Sequence, residues 1–425
     1  MKENERDGPE ARRIKKEIYA QPHVVRVEPP PGWEDVTARE MRELSDDWTL
    51  PGKFVGTQRQ DESGLWFENL DFRQLIEIPL RLLTAADALW ALQSRHVGSF
   101  GELIAMIEQL PWALYLPPGA KVRLRVNSFR SKLFHEGKIE ELIAQSLEKS
   151  GYHIASTPGC FRLVCEQIAN RHTIFLSLAG EFLYRRHYKE VHQHGAPLQE
   201  HLAAACLSWA AALQGPEWQP DLLAIPFAGS GTFYAEELLR RGCVPAFLWR
   251  MPDYSVAQLA CLPAASWAQI IKRREALAPV PVPPALLIEK DSEIAAGLEQ
   301  NLAFFRRRLA PDVPSAEMVV ADVFKQQLPP GRIWMPLNPP YGLRLDQGGE
   351  QAPHFYRELA LWLRAQMATE IRGFVLVADS ASLYAFQHAL PEGAVQGVQS
   401  FSQGGQHVRC VAFRLGGSSS RSVGP

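Results

Sequence analysis

The sequence predicts an α/β protein in which a mostly parallel, doubly wound sheet follows a smaller α+β module. Downstream of Ala196, short apolar runs such as "ALLIEK" and "GFVLVAD" alternate with helical stretches. This alternation is typical of parallel strands that are buried on both faces. Upstream, helical and alternating patterns are mixed, which indicates a separate α+β module.

The elements are expected in the following order. The module begins with a strand, a turn and an amphipathic helix in "HVVRVEPPPGWEDVTAREMREL". Helical spacing continues in "FRQLIEIPLRLLTAADALWAL", "SFGELIAMIEQLPWALYL" and "IEELIAQSLEKSG", and strand-like spacing is found in "KVRLRVNSF", "GCFRLVCEQIA" and "RHTIFLSLAG". The later strands are expected in "DLLAIPFAGSG", "ALLIEK", "EMVVADV", "RIWMPLN", "GFVLVAD" and "HVRCVAFRL". The predicted organisation is a flexible tail (1–22), the α+β module (23–190), the sheet domain (191–415) and a disordered tail (416–425).

The composition excludes several classes of protein. The chain has 425 residues and a net charge of −2, so any nucleic-acid surface must be a local patch. Its start lacks the apolar core of a signal peptide, and no apolar run reaches membrane-spanning length. The six cysteines form no C-x-x-C pair, and His192 and His194 lack an accompanying ligand cluster. We therefore expect a cytoplasmic protein with reduced thiols, no metal site and no membrane partner.

A glycine turn follows the first of the later strands. Gly229, Gly231 and Thr232 lie between an apolar run and a helix in "AIPFAGSGTFYAEELL". Glycines permit a tight turn and a close ligand, and the start of the helix offers unpaired N–H groups. No third glycine has dinucleotide spacing and no G-K-[ST] follows, which disfavours nicotinamide and P-loop sites. At this point a purely structural turn remains the alternative.

Acidic residues end the next two strands. Glu289 ends the strand in "LLIEKD", where a carboxylate can accept hydrogen bonds from two ribose hydroxyls. Asp322 follows the strand in "VVADVF", where it could accept from an adenine amino group. A solvated charge at Glu289 and a cap or turn at Asp322 are the alternatives. Because ligands of open α/β sheets bind at the carboxyl edge, this succession predicts a cofactor site there.

A rigid corner follows the next strand, in "MPLNPPYGLRL". Pro339 and Pro340 cannot donate backbone hydrogen bonds, so the strand must end at them. The Asn338 side chain and the Pro339 carbonyl supply two acceptors that can orient the exocyclic amine of a flipped base. Tyr341 offers an aromatic face on which that base can stack. We therefore predict that Asn338, Pro339 and Tyr341 are catalytic; a packed Pro-Pro turn is the alternative.

The motifs resemble those of a known family. "NPPYGLRL" is similar to N-P-P-Y-G-x-R, and "PFAGSGT" to D-P-F-C-G-S-G-T, of class I S-adenosylmethionine-dependent RNA methyltransferases. "GAPLQEHLAAACL" resembles the A-P-L-R-E-T-L-A-A helix of that family. "RVNSFRSKLFHEGKIEELI" resembles the S-K-L-[YF]-H segment of the THUMP domain, an RNA-binding module. The resemblance covers nearly all of residues 23–415.

The resemblance implies S-adenosyl-L-methionine as cofactor. It also implies a Rossmann-like class I methyltransferase domain that follows a THUMP/ferredoxin-like module in the sequence. It implies a bacterial-type enzyme that methylates guanine N2 in large-subunit rRNA, with tRNA as a second candidate. With the motifs above, the expected cofactor-binding residues are Pro197, Leu198, Pro226, Ala228, Gly229, Gly231, Thr232, Glu289, Asp322 and Asn338.

The partner is expected to be RNA, held by basic residues in or near the THUMP-like half. Arg130, Lys132, Arg185 and Arg186 are the predicted phosphate contacts. Two other functions remain open: an N6-adenine methyltransferase acting on nucleic acid, and a noncatalytic RNA-binding protein with a decayed cofactor site. The oligomeric state is not predicted.

Overall fold

The computed structural model forms two compact units, and neither is continuous in the sequence. The structure describes residues 8–46, 56–61, 64–157, 159–190, 198–215, 217–243, 255–275, 280–307, 316–340, 351–366 and 370–416. The first unit comprises Met1–Pro29, Thr37–Arg186 and Pro245–Leu277, and the second comprises Pro30–Val36, His187–Val244 and Ala278–Pro425. The predicted boundary near residue 190 thus lies close to Arg186, but two segments are exchanged between the units.

Each exchanged segment carries the apolar residues that explain its place. In the second unit, Trp33 is completely buried, with its ring 6.1 Å from that of Trp209 and 5.3 Å from that of Phe401. In the first unit, Val256 and Leu259 join the main hydrophobic core. Burying each such side chain stabilises the unit by roughly 1.5–3 kcal/mol.

The described part of the first unit contains one eight-stranded mixed sheet packed with helices. Its strands are β1 (His23–Glu28), β2 (Thr57–Asp61), β3 (Gly64–Leu70), β4 (Asp87–His96), β5 (Lys121–Phe129), β6 (His153–Ile154), β7 (Phe161–Ile168) and β8 (Arg171–Ser177). Its helices are α1 (Pro9–Ile14), α2 (Glu34–Asp46), α3 (Phe72–Arg81), α4 (Phe100–Glu108), α5 (Glu136–Lys149) and α8 (Ala264–Glu275). The strand order is β2-β3-β1-β4-β8-β7-β5-β6, and β5 runs parallel to β6 and β7.

Two predictions for this unit are wrong. "DALWAL" was expected to be helical, but it lies in β4, because a short apolar run that is buried on both faces has no diagnostic period. The predicted flexible tail is helical from Pro9 to Tyr19, where Ile18 is buried and the Tyr19 hydroxyl donates to the Cys261 carbonyl at 2.5 Å. The strands β2 and β3 were not predicted.

The second unit is built on a seven-stranded sheet in the part that the structure describes. Its strands are β9 (Leu222–Pro226), β10 (Ala285–Glu289), β11 (Ala316–Val320), β12 (Arg332–Leu337), β13 (Glu370–Val377), β14 (Val395–Gln403) and β15 (Gln406–Gly416). Its helices are α6 (Glu200–Gln214), α7 (Thr232–Arg240), α9 (Ser292–Arg306), α10 (Gln351–Arg364) and α11 (Ser380–Ala389). The strand order is β11-β10-β9-β12-β13-β15-β14.

The predicted mostly parallel sheet is confirmed. Pairing is parallel from β11 through β10, β9 and β12 to β13, and only β15 and β14 are antiparallel. Central β13 is buried along its whole length, as expected for a strand covered on both faces. The carboxyl ends of β9, β10, β11 and β12 therefore meet at one edge.

Two further features are the state of the cysteines and the length of the helices. All six cysteines are buried and free. In the described parts of the chain, no helix has the length and apolarity needed to cross a membrane.

One buried histidine makes the stability of the first unit depend on pH. His172 in β8 is completely buried, and neither ring nitrogen has a hydrogen-bond partner among the described residues. Burial lowers the pKa of His172 from 6.5 to about 4, because the charged ring would lose its hydration. Between these pH values the unfolded chain binds a proton that the folded chain excludes, so stability falls as the pH falls.

We predict that His172→Leu flattens this acid dependence. The wild type should lose roughly 3 kcal/mol more unfolding free energy than the variant between pH 7 and pH 4, as measured by urea denaturation. His96→Leu, at an exposed position of β4, is the matched control and should follow the wild type. Parallel pH profiles for the wild type and His172→Leu would contradict the assignment.

Candidate functional site

A cavity of 1140 Å³ lies at the carboxyl edge of the parallel sheet in the second unit. This volume slightly exceeds the roughly 300–1,000 Å³ that is common for ligand sites in proteins. Seven predicted residues line it: Leu198, Ala228, Gly229, Thr232, Glu289, Asp322 and Asn338. Pro226, Gly231 and Pro339 belong to the turn and the corner without lining the cavity. Pro197 and Tyr341 lie outside the described residues.

The glycine turn after β9 has an unusual backbone. Phe227, Gly229 and Gly231 all adopt positive φ, at 58°, 54° and 83°. A phenylalanine in this region is strained by about 1–3 kcal/mol, and such strain clusters at functional sites. The Ala228 amide donates to the Ile288 carbonyl at 3.1 Å, which holds the turn against β10. This backbone makes the turn a candidate part of a functional site.

Glu289 holds the turn as well as lining the cavity. One carboxylate oxygen accepts from the Gly229 amide at 3.0 Å, and the other accepts from the amides of Lys290 and Asp291 at 2.9 and 3.2 Å. An ionised carboxylate has about four acceptor positions, so three are already used. A ribose diol would thus take the remaining position and share or displace an amide. Within the protein, the carboxylate connects the end of β10 to the glycine turn.

Asp322 has two roles in the structure. It caps the short turn after β11, where its side chain accepts from the Phe324 amide at 3.2 Å, which is the alternative stated for it. Its other oxygen accepts from the Lys290 ammonium at 3.2 Å. The same side chain also lines the cavity, so Asp322 both caps the turn and forms part of the cavity wall.

Four phenylalanines in the wall, Phe233 among them, were not predicted. Phe227, Phe324 and Phe355 line the cavity, and the Phe355 ring lies 5.8 Å from that of Phe227 and 5.5 Å from that of Phe324. Such rings can pack against a flat apolar ligand group. Phe227 directly follows the end of β9, whereas Phe324 lies in the short turn beyond the end of β11; both positions are close to strand ends that the motifs marked, which was an available signal. Phe355 lies on α10, and only the tertiary structure brings it to the cavity.

Asn338 is the polar group of the corner. It follows β12, and its side-chain oxygen is buried without a hydrogen-bond partner among the described residues. Leaving such an acceptor unpaired costs about 1–3 kcal/mol. Pro340 beside it also lines the cavity. An unpaired acceptor at a cavity wall is suited to receive an N–H donor of a ligand.

The segment just before the undescribed residues 191–197 is bonded to three helices of the second unit. The Tyr188 hydroxyl donates to Glu236 on α7 at 2.9 Å, and the Lys189 ammonium pairs with Glu200 on α6 at 2.9 Å. Asn301 on α9 was not predicted. Its side chain accepts from the Glu190 amide at 2.9 Å and donates to the Ser230 carbonyl in the glycine turn at 3.3 Å.

Asn301 therefore couples the glycine turn to the chain that leads towards Leu198. The residue is 4% exposed, and its amide supplies the donor and the acceptor that this link needs. No sequence motif marks it, because the contact joins positions that are 71 and 111 residues away. We assign it a positioning role for the turn.

The predicted RNA-binding residues all belong to the first unit, and one assignment is wrong. Arg186 is completely buried and donates to the carbonyls of Leu183 and Leu83 at 2.9 and 2.5 Å, so it cannot reach RNA. A long cationic side chain in a basic run looks like a surface residue until its carbonyl partners are known. Arg185 is exposed but pairs with Glu181 at 3.0 Å. Arg130 and Lys132 are exposed.

No metal site was predicted. In the ranges that the structure describes, no group of three or more His, Cys, Asp or Glu side chains is arranged to hold an ion. His192 and His194 lie outside those ranges.

Comparison with known proteins finds proteins that are similar to this chain. No family model matches the sequence. The chain is 23% identical over 256 residues to the ribosomal RNA large subunit methyltransferase K/L of Saccharophagus degradans, covering 58% of the chain and 32% of the relative. It is 30% identical over 207 residues to the protein of the same name from Acinetobacter baylyi, covering 46% of the chain and 26% of the relative. The matched region thus spans about a third or less of these relatives.

A solved structure has the same fold. The crystal structure of SMU.472, a putative methyltransferase complexed with SAH, superposes with a TM-score of 0.72 at 18% identity and covers 94% of this chain and 99% of that one. The doubly wound fold is therefore that of class I methyltransferases, as the resemblance implied. The names of the relatives confirm the resemblance to this group of RNA methyltransferases.

We predict that Asn301→Ala loosens the glycine turn. Losing both hydrogen bonds should speed amide exchange in residues 227–233 and at Glu190 by about 5–30-fold, because each bond contributes on the order of 1 kcal/mol. Hydrogen–deuterium exchange read by mass spectrometry measures this. Glu299→Ala, at an exposed position of the same helix, is the control. Equal exchange in the turn of both variants would argue against the positioning role.

Proposed function

We propose that this chain, a relative of the ribosomal RNA large subunit methyltransferases K/L, uses S-adenosylmethionine to methylate an exocyclic base amine in RNA. The finer proposal is guanine N2 in large-subunit rRNA: the names of the relatives support the RNA, and the N-P-P-Y resemblance is the basis for the base. The observation that carries the proposal is the buried Asn338 oxygen, which has no hydrogen-bond partner among the described residues and belongs to a residue that lines a large cavity at the carboxyl edge of the sheet. N6 methylation of adenine is the main competing outcome.

The residues of the cavity fit the proposed cofactor. Glu289 has acceptor capacity left for a ribose hydroxyl, and the rings of Phe227 and Phe324 offer faces for a flat base. A Cβ atom at Gly229 would meet only the Phe227 carbonyl oxygen, at 3.9 Å, so a ligand can approach the backbone there. When bound, S-adenosylmethionine supplies an electrophilic methyl group on a sulfonium.

The role of Asn338 follows from the chemistry of a base amine. Its lone pair is delocalised into the ring, so the amine is a weak nucleophile. An acceptor on the N–H side orients the amine, and its hydrogen bond strengthens as positive charge develops on nitrogen during methyl transfer. Pro339 and Pro340 keep the acceptor in place before the base arrives. We assign Tyr341 the stacking face for the flipped base.

We predict that Asn338→Ala lowers the single-turnover methylation rate on the order of 10²–10³-fold while RNA affinity stays near the wild-type value. The acceptor acts mostly in the transition state, so binding should change little. Tyr341→Phe should keep most of the activity, whereas Tyr341→Ala should weaken capture of the base by about 1–3 kcal/mol.

The assay uses RNA from a strain that lacks the protein, followed by nucleoside mass spectrometry. Detection of N2-methylguanosine would support the finer proposal. Detection of N6-methyladenosine would identify adenine, and not guanine, as the methylated base. Near-normal turnover in Asn338→Ala would remove Asn338 from the mechanism. Cofactor binding without any methylated nucleoside would leave a noncatalytic RNA-binding protein.

Another prediction concerns the affinity for the cofactor. Glu289→Ala should weaken S-adenosylmethionine binding by roughly 1–3 kcal/mol, because it removes a ribose acceptor and releases the Gly229 amide. Isothermal titration calorimetry measures the affinity. Glu293→Ala, which removes another carboxylate from the cavity wall, is the matched control and should bind nearly as tightly as the wild type. If the two variants bind equally well, Glu289 does not contact the ribose.

A further inference from the structure

Two phenylalanine rings are held in solvent between β5 and α5 of the first unit. Phe129 is 59% exposed and Phe134 is 64% exposed, and Ile168 beside Phe129 in the sheet register is 42% exposed. We call residues 128–135 the aromatic loop. Isolated apolar residues on a surface are ordinary, but two large rings within six positions require an explanation.

The aromatic loop is held by its own hydrogen bonds. Ser128 donates from its amide to Glu136 at 2.7 Å and from its hydroxyl to the Leu133 carbonyl at 2.6 Å. The Ser131 hydroxyl donates to the Phe129 carbonyl at 2.9 Å. These bonds hold the backbone on both sides of Arg130, so the rings are displayed by an ordered loop.

The turn between β7 and β8 supports the aromatic loop from outside. Asn170 accepts from the Lys132 amide at 2.7 Å and donates its own amide to the Ser131 hydroxyl at 3.0 Å. The Ala169 amide donates to the Phe129 carbonyl at 3.1 Å. The loop therefore keeps its conformation through contacts with a second element of the same sheet.

One residue of the aromatic loop has a strained backbone. Arg130 adopts positive φ at 49°, a conformation that costs a non-glycine residue on the order of 1–3 kcal/mol and persists where surrounding contacts impose it. Ala169 and Asn170 also adopt positive φ, at 49° and 66°, as the two-residue turn between β7 and β8 requires. The contacts of that turn with the aromatic loop therefore hold Arg130 in its conformation.

Positive charge lies beside the rings. The Arg130 guanidinium is 4.8 Å from the centre of the Phe129 ring, and Lys132 is exposed. Neither cation forms an ion pair with a residue that the structure describes. The His135 ring lies 4.1 Å from that of Phe134. Aromatic faces flanked by unneutralised cations match a ligand that has both flat bases and phosphates.

We propose that the aromatic loop is a stacking platform for unpaired nucleotides of the RNA substrate, with Phe129 and Phe134 under the bases and Arg130 and Lys132 on the flanking phosphates. The bases of a duplex are stacked on one another and offer no free face, so only unpaired bases can use these rings. This inference rests on the proposed function in that it takes RNA as the substrate. It adds that the first unit binds single-stranded parts of the RNA.

The test measures affinity of the full-length protein by fluorescence anisotropy, with an unstructured 12-nucleotide RNA and a 12-base-pair RNA duplex as probes. Phe129→Ala with Phe134→Ala should weaken binding of the single strand by about 5–150-fold per stacked base and leave the duplex unaffected. The salt dependence should keep its slope, because no charge is removed. Tyr384→Ala, which removes an exposed ring of the second unit, is the matched control.

Two further variants separate stacking from other contacts. Phe134→Trp should keep the wild-type affinity for the single strand, because tryptophan also offers a ring face. Phe134→Leu should weaken it, because leucine is apolar but has no ring face. Arg130→Ala with Lys132→Ala should weaken both probes and flatten the salt dependence by about one unit of slope per lost contact. Unchanged S-adenosylmethionine affinity in every variant verifies that the second unit is intact.

The outcomes distinguish this inference from the proposed function. If the wild type methylates RNA but the double phenylalanine variant binds single strands as the wild type does, the stacking platform is wrong and the rings serve another partner, such as a protein. If Leu replaces Phe134 without loss, the contact is apolar and the stacking platform is again wrong. If the wild type neither binds nor methylates RNA, the proposed function fails first.

Discussion

The second unit depends on one strained turn. Between buried β9 and α7, the chain reverses through Phe227, Gly229 and Gly231, all in the left-handed region. The turn lines the cavity, and its strain must be offset by contacts from elsewhere. Glu289 at the end of β10 and Asn301 on α9 provide those contacts. The cavity is therefore shaped by the parallel sheet as a whole, because only that arrangement brings neighbouring strand ends to the turn.

Polar groups around the cavity fall into two sets. Glu289, Asp322 and Asn301 are bonded to backbone groups and hold the walls, whereas the buried oxygen of Asn338 has no partner among the described residues. Folded proteins rarely leave a buried acceptor unpaired, and the exceptions concentrate at functional sites. The bonded set gives the cavity a rigid shape, so the unpaired acceptor can be aimed before a ligand arrives. This division connects the stability of the fold with the chemistry that we propose.

The connectivity of the chain affects folding and function together. Segment 30–36 packs in the second unit and segment 245–277 in the first, although each is flanked in sequence by residues of the other unit. Each unit is therefore completed by contacts between distant parts of the chain, which slows folding because loops must close before those contacts form. Within the first unit, the aromatic loop again combines strain with exposure, and the support comes from the neighbouring turn at Asn170. In both units the strained segments are held by residues remote in sequence.

The sequence by itself determined the parallel sheet, the glycine turn and the position of Asn338 after β12. These features follow from local rules: apolar runs specify buried strands, glycine permits positive φ, and proline ends a strand. Local rules could not reveal that "DALWAL" is a strand, that Arg186 is buried, or that Pro30–Val36 belongs to the second unit. They also did not identify Asn301, Phe355 or the exposed Phe129 and Phe134. Burial, pairing and exposure depend on which distant residues come into contact, so the tertiary structure alone decided them.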